Sequence, residues 1–288
     1  MKLDATVIRF VILSALLTGA SASGTLIMAF CNGDDLYLGS DSLQTTTDYR
    51  CTNEVQKIRA VGDHCCVSLS GLSRWTSQVE GRTKDFDFLD QMESALRKTE
   101  SSPRPLSSQI TNAVMVFEQW YRECCGEAMA WGATNSYGLV FTFWGYDQRL
   151  DRFYGLGWAC KGTNRGVFQD TYDSRGHVGR IWLQGESDFL SAFISNHNDF
   201  PTVSLSDRAK QTWDRIALHQ TVSEEELVSE MVELFALHER HSATFFPHSG
   251  HIAEPYVIWR VRKHDAKKIG AFRPRTGELQ SHGHSAKS

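Results

Sequence analysis

Two blocks of short strands, each followed by a pair of helices, set the tightest limit on what this chain can fold into. In the first block, residues 25–30 (T-L-I-M-A-F) and 35–40 (D-L-Y-L-G-S) read as strands. Asn32-Gly33-Asp34 between them is a hairpin signal. Residues 57–61 and 65–70 read as a second hairpin turning at Gly62-Asp63. Residues 86–98 and 107–125 then carry apolar side chains at helical spacing, separated by the helix-stopping run Ser101-Ser102-Pro103-Arg104-Pro105. The second block has strands at 139–144 and 152–158 around a turn at Gly145-Tyr146-Asp147, then a less regular stretch over 166–172. Helices follow at 206–219 and 223–241. Ser223 and Glu226 form a capping box at the start of the second, with Glu224 and Glu225 suited to its positive end. Residues 255–262 alternate as a final strand. This order, without an internal repeat or a Pro/Ser-rich linker, predicts one α+β domain of antiparallel sheets covered by helices.

The chain is 288 residues long, enough to bury a sizeable core. With 41% hydrophobic and 22% charged residues it is not a disordered chain. A formal net charge of −4 gives no general attraction to nucleic acid or anionic membrane.

The N-terminus reads as a secretory signal peptide. Lys2 and Arg9 precede the apolar run F-V-I-L-S-A-L-L over 10–17, and small residues follow through Gly24. The run is too short to anchor the chain in a bilayer. The expected organisation is a signal or pro-segment over 1–24, a single domain over 25–272, and a polar, disordered tail over 273–288, with the product secreted or periplasmic and no membrane contact once the signal is removed. Two exits fit. Cleavage after Ala22 leaves Ser23 first, and cleavage after Gly24 leaves Thr25 first.

Seven cysteines occur, at 31, 51, 65, 66, 124, 125 and 160. Export permits disulfides, but an odd count leaves at least one thiol over, and the pairing is not readable from the sequence. Small buried thiols on strands are the plainer reading for several of them. Eleven histidines invite a metal reading, but no H-E-x-x-H motif occurs. His238 and His241 lie three apart on a predicted helix, and His248 and His251 three apart in a loop. Helix-end histidines more often serve the helix dipole.

A chain beginning at Thr25 carries its own catalytic base. A free α-amino group has a pKa of about 7.7–8.0 and can take a proton near neutrality. A threonine hydroxyl needs such a base to become a nucleophile. Asp41 follows 16 residues later in S-D-S, Lys57 32 later in V-Q-K-I, and Gly71 46 later in L-S-G-L. With Thr45 and the pair Ser70-Gly71, these fall in a single register. Over residues 25–71 the chain resembles, without a gap, the proteasome β-subunit family and its bacterial relatives, which are N-terminal nucleophile hydrolases. Gly24 matches the glycine behind which that family cleaves.

The resemblance implies a four-layer αββα sandwich and hydrolysis of peptide or amide bonds. Thr25 Oγ would be the nucleophile and its amine the base. Lys57 would be the cation that lowers their pKa values, Asp41 the carboxylate that orients Lys57, and the Gly71 N–H the oxyanion donor. The Thr45 backbone would pair with an extended substrate, and Val55, Leu69 and Ser73 would shape an apolar specificity pocket. No metal or organic cofactor is implied, and the family's habit implies a homo-oligomeric ring. Beyond Gly71 fewer residues match. Ala159-Cys160-Lys161-Gly162 stands where the family's Ser-Gly step is expected, with lysine for serine, and Asp173 and Ser174 are candidates for later roles. Singly, Asp41 reads as a turn cap, Lys57 as a strand lysine and Gly71 as a turn glycine, whereas their joint register favours chemistry. A small-amide hydrolase and a non-catalytic subunit or binding protein retaining the fold stand as the alternatives.

Overall fold

The structure is a computed structural model. It describes residues 25–274, except 46–50, 53–54, 62–64, 80–81, 100–105, 127, 131–137, 149–150, 162–163, 175–180, 186, 218–219 and 248–251. The predicted signal segment, the tail beyond 274, His248 and His251 therefore lie outside the described residues.

The fold is mixed α+β with antiparallel sheets. One five-stranded sheet has the order β12-β1-β2-β13-β14, from β1 (Leu26–Asn32), β2 (Asp35–Ser40), β12 (Ile181–Gly185), β13 (Tyr256–Arg262) and β14 (Asp265–Phe272). The other has the order β11-β10-β9-β6-β5, from β5 (Ile58–Val61), β6 (Cys65–Gly71), β9 (Gly138–Asp147), β10 (Arg152–Lys161) and β11 (Val167–Asp173). Two small hairpins stand apart, β3 (Gln44–Thr45) with β4 (Cys51–Thr52) and β7 (Arg74–Val79) with β8 (Arg82–Asp87). The helices are α1 (Phe88–Thr99), α2 (Leu106–Cys124), α3 (Asp188–Ser195), α4 (Asp207–Ala217) and α5 (Glu224–Phe245).

Side-chain alternation along the strands divides the core. Leu26, Met28 and Phe30 of β1 pack with Phe189 of α3, Ile216 of α4 and Met231, Leu234 and Phe235 of α5. Val67 and Leu69 of β6 and Phe141 and Phe143 of β9 pack with Phe88 and Met92 of α1 and Phe117 of α2. The intervening positions join the two sheets to each other: Ile27, Ala29, Leu36 and Leu38 meet Ile58, Cys66, Trp144 and Phe153. Each central strand is thus apolar on both faces, which is why these segments read as continuous hydrophobic runs.

Several expectations need correcting. The turn predicted at Gly145-Tyr146-Asp147 is strand. Gly145 pairs with Cys65 on one side and Tyr154 on the other, and ladders on both sides outweigh its turn propensity. The reversal comes later, where Asp151 has φ 49°. The irregular stretch at 166–172 is β11, and β12, α3 and β14 were not anticipated. Phe86 belongs to β8 rather than to the helix. The Ser223/Glu226 capping box is present in full. Among the described residues Cys31, Cys66, Cys124 and Cys125 are free thiols, and of these only Cys124 is not buried. Burial pushes the Cys31, Cys66, Cys125 and Cys160 thiols up, Cys31 to about 11 and Cys125 to about 12, so these four remain protonated at neutral pH.

Candidate active site

The β1–β2 hairpin places the first two candidates. Its two-residue turn sets a register that pairs Asn32 with Asp35 and Ile27 with Ser40, which carries Asp41 opposite Leu26. The Asp41 N–H donates to the Leu26 carbonyl at 3.3 Å, and the Leu26 N–H donates back to Asp41 Oδ1 at 2.8 Å. That N–H belongs to the peptide joining Thr25 to Leu26. The chain then returns past the site. The Val55 N–H donates to the Ser42 carbonyl at 3.2 Å, and the Lys57 carbonyl accepts from the Leu69 N–H at 3.0 Å. Lys57 is thereby held between the end of β2 and the end of β6.

Lys57 Nζ reaches both oxygens of Asp41, at 2.9 Å to Oδ1 and 2.8 Å to Oδ2. Oδ2 also accepts from the Leu43 N–H at 3.1 Å. The pair is deeply buried, Asp41 at 0% and Lys57 at 4% exposure. Burial pushes the Asp41 carboxyl above its ordinary range, while the Lys57 ammonium and the Leu26 and Leu43 N–H groups pull it back. Thr25 is itself 4% exposed and joined to Gly24, so its nitrogen here is an amide. Removal of Gly24 would turn that nitrogen into an amine one peptide away from the Asp41–Lys57 pair.

Two glycines close the site. Gly71 ends β6 with φ +89°, and a Cβ on it would lie 2.0 Å from the Gly138 carbonyl oxygen, which accepts from the Leu72 N–H at 3.0 Å. Gly185 ends β12 opposite Leu26, with φ +86°. A Cβ there would lie 1.9 Å from the Thr25 carbonyl oxygen. Both positions exclude any other residue on conformation and on space.

The structure thus brings Thr25, Asp41 and Lys57 together, with Gly71 at the end of the strand that Lys57 adjoins. The substrate-binding candidates are more scattered. Val55 is buried beside Ser42, and Ser73 is half-buried where its carbonyl accepts from Phe88 N–H. Thr45 pairs with Cys51 in the β3–β4 hairpin. Leu69 belongs to the apolar cluster beneath α1 and α2.

Residues 159–161 are not on the strand beside Thr25, and Gly162 lies outside the described residues. Lys161 is exposed and pairs with Gly138, in the sheet that lacks β1. The strand beside β1 is β12, ending Gln184-Gly185. Asp173 and Ser174 lie at the far end of their sheet. Asp173 pairs with Tyr154, which is opposite Gly145, six residues along β9 from the Leu139 that faces Gly71. Six strand residues are about 20 Å. There Asp173 is bound to Arg152, and Ser174 Oγ accepts from the Phe153 N–H.

Sequence reasoning missed Gly185, Gln184, Ser68 and Thr142. Gln184 is 7% exposed, and its amide joins Ser70 and Thr142 across the two sheets. A glutamine before a glycine in an otherwise apolar strand, I-W-L-Q-G, is the one local signal. Compared with known proteins, the chain matches no family model and no characterised protein.

Proposed function

We propose that this protein is an exported threonine hydrolase of the N-terminal nucleophile type, in the proteasome-like branch and with its four-layer αββα sandwich. It would cleave peptide or amide bonds through an ester on Thr25. The observation that carries this reading is the Asp41 carboxylate. One of its oxygens holds both the Lys57 ammonium and the N–H of the peptide that starts at Thr25. A buried ion pair is weak evidence for stability, because desolvation offsets its attraction. Placed at the first residue after a predicted processing site, it is better suited to setting proton affinities.

In the reaction, Thr25 Oγ attacks the substrate carbonyl and its proton passes to the Thr25 amine, through a water. The Lys57 ammonium lowers the pKa of both groups and is kept charged and oriented by Asp41. The Gly71 N–H stabilises the oxyanion. Collapse expels the substrate amine, which takes the proton. Water then hydrolyses the ester and returns Thr25. The product is placed outside the cytoplasm, and assembly into a homo-oligomeric ring is part of the same family reading.

A non-catalytic subunit retaining the fold is the second reading. One observation favours it: the strand beside Thr25 ends in Gln184-Gly185, not in the family's Ser-Gly step. N-terminal sequencing and intact mass of the exported protein separate the two. A start at Thr25, with turnover of a peptide or small-amide panel that Thr25→Ala abolishes, supports the hydrolase. A stable start at Ser23 leaves no free threonine amine and supports the subunit.

A further inference from the structure

Behind the site, the layer joining the two sheets changes character. Along most of its length it is apolar, from Ala29 and Leu38 to Trp144 and Val261. At the Thr25 end its buried polar side chains include Ser68 at 0%, Thr142 at 0%, Ser70 at 4% and Gln184 at 7% exposure. Gln184 Nε2 donates to Ser70 Oγ at 2.7 Å, and Gln184 Oε1 accepts from Thr142 Oγ1 at 2.9 Å. Trp144 Nε1 donates to Ser68 Oγ at 2.8 Å, and that hydroxyl donates to the Thr142 carbonyl at 3.3 Å.

The connectivity matters more than the count. Gln184 lies on β12, paired with Ile27, and its neighbour Gly185 presses on the Thr25 carbonyl. Ser70 lies on β6 of the other sheet, immediately before Gly71. One amide therefore spans from the strand that abuts the nucleophile to the residue that precedes the oxyanion donor. An apolar side chain of the same volume would fill this space without the cost of burying an amide. The amide adds two directional hydrogen bonds of fixed length to the non-directional apolar contacts around it.

We propose that Gln184 is a positioning residue that sets the gap between Thr25 and the Gly71 N–H. This rests on the threonine-hydrolase reading. The nucleophile and the oxyanion donor come from different sheets, so nothing within either sheet fixes their separation. A misplacement on the order of 1 Å is enough to lower turnover about 100-fold.

The test compares Gln184→Met and Gln184→Glu in the full chain, expressed with its leader and matured by its host. Methionine matches the volume and removes both hydrogen bonds. Glutamate, in the neutral form that burial favours, keeps both links: its carbonyl oxygen accepts from Thr142 and its O–H donates to Ser70 Oγ. Active sites are titrated with a peptide boronate, which forms a tetrahedral adduct on Thr25 and occupies the oxyanion position. In Gln184→Met, kcat per titrated site is expected to fall about 10- to 100-fold with KM changed less than about twofold. Boronate affinity should fall in step with kcat, while the affinity of an uncleaved ground-state peptide stays constant. Gln184→Glu should recover most of the loss. A merely structural role would lower the fraction of active sites and leave kcat per site alone, and that outcome overturns the proposal. If Gln184→Met does not fold, Ser70→Ala removes one of the two links and is expected to show the same split; its failure to do so counts equally against the proposal. A matured wild-type chain that neither binds boronate nor cleaves any amide sinks the parent reading itself. An active wild type with an unchanged Gln184→Met sinks only the positioning role.

Discussion

Replacing Asp41 by Asn should cost this fold much of its stability, and replacing Lys57 at the same time should give part of it back. Each Asp41 oxygen meets two donors: Oδ1 takes Leu26 N–H and Lys57 Nζ, and Oδ2 takes Leu43 N–H and Lys57 Nζ. An asparagine offers one acceptor oxygen, and its NH2 group then faces two donors whichever way the amide turns. It also takes the carboxylate charge away from an ammonium at 4% exposure. Removing one partner of a buried pair typically costs about 3–5 kcal/mol. That is a large part of the roughly 5–15 kcal/mol that holds a domain together. Lys57→Met is milder, because the carboxylate keeps two backbone N–H donors and can take up a proton. In the double variant the asparagine NH2 faces a single backbone N–H and no charge is left over. The two substitutions should therefore be non-additive, with the double variant more stable than the summed singles predict by about 2 kcal/mol or more. Urea unfolding of the four chains at one pH, followed by tryptophan fluorescence, measures this directly. Additive losses to within about 0.5 kcal/mol would refute the buried pair, and with it the electrostatic core of the proposed site.

Two further predictions concern Gly185 and Glu230. Gly185→Ala must relieve a Cβ lying 1.9 Å from the Thr25 carbonyl oxygen at φ +86°, so it should cost about 2–4 kcal/mol and shift the end of β1; amide hydrogen exchange at Leu26 would report the shift, and unchanged protection would count against the close approach. Glu230 of α5 is 2% exposed, and neither carboxylate oxygen has a hydrogen-bond partner among the described residues. Burial, with the nearby Glu233 charge, pushes its carboxyl from 4.5 up to about 8. The folded state therefore holds a proton that the unfolded chain releases. Stability tied to this group is present below about pH 4.5 and is lost as pH rises toward 8, at up to about 1.4 kcal/mol per pH unit. Glu230→Gln should flatten that slope and be more stable than the wild type at pH 8. Equal stability of the two at pH 8 would mean that the carboxylate finds a partner or water.

What the sequence made legible follows from how strongly each segment is marked. The β1–β2 hairpin announces itself through Asn32-Gly33-Asp34 between two apolar runs, and the turn fixes the register that delivers Asp41 to Leu26. The start of α5 is spelled out by Ser223 and Glu226. β14 was hidden because it pairs only with β13 and reads D-A-K-K-I-G-A-F, charged and without alternation, as suits an edge strand. β12 was hidden because it is only five residues long and its partner, β1, lies about 150 positions earlier in the chain. α3 spans eight residues, too few for a helical period to stand out from an apolar run.

The same distinction explains the site. Thr25, Asp41, Lys57 and Gly71 fall within 47 consecutive residues, on neighbouring turns and strands, so their spacing carries the geometry. Gln184 and Gly185 reach Thr25 only because a strand from the second half of the chain closes the edge of the first sheet. No spacing encodes that contact; it exists only once the sheet has formed. The segment 159–162 was assigned to this role by position along the chain, but its strand went to the other sheet, between β9 and β11. Local register can place a charge pair beside Thr25. The support that must come from across a sheet, or from the opposite sheet, is set by topology. It is there, at Gln184 between the two sheets, that catalysis and fold would depend on the same two hydrogen bonds.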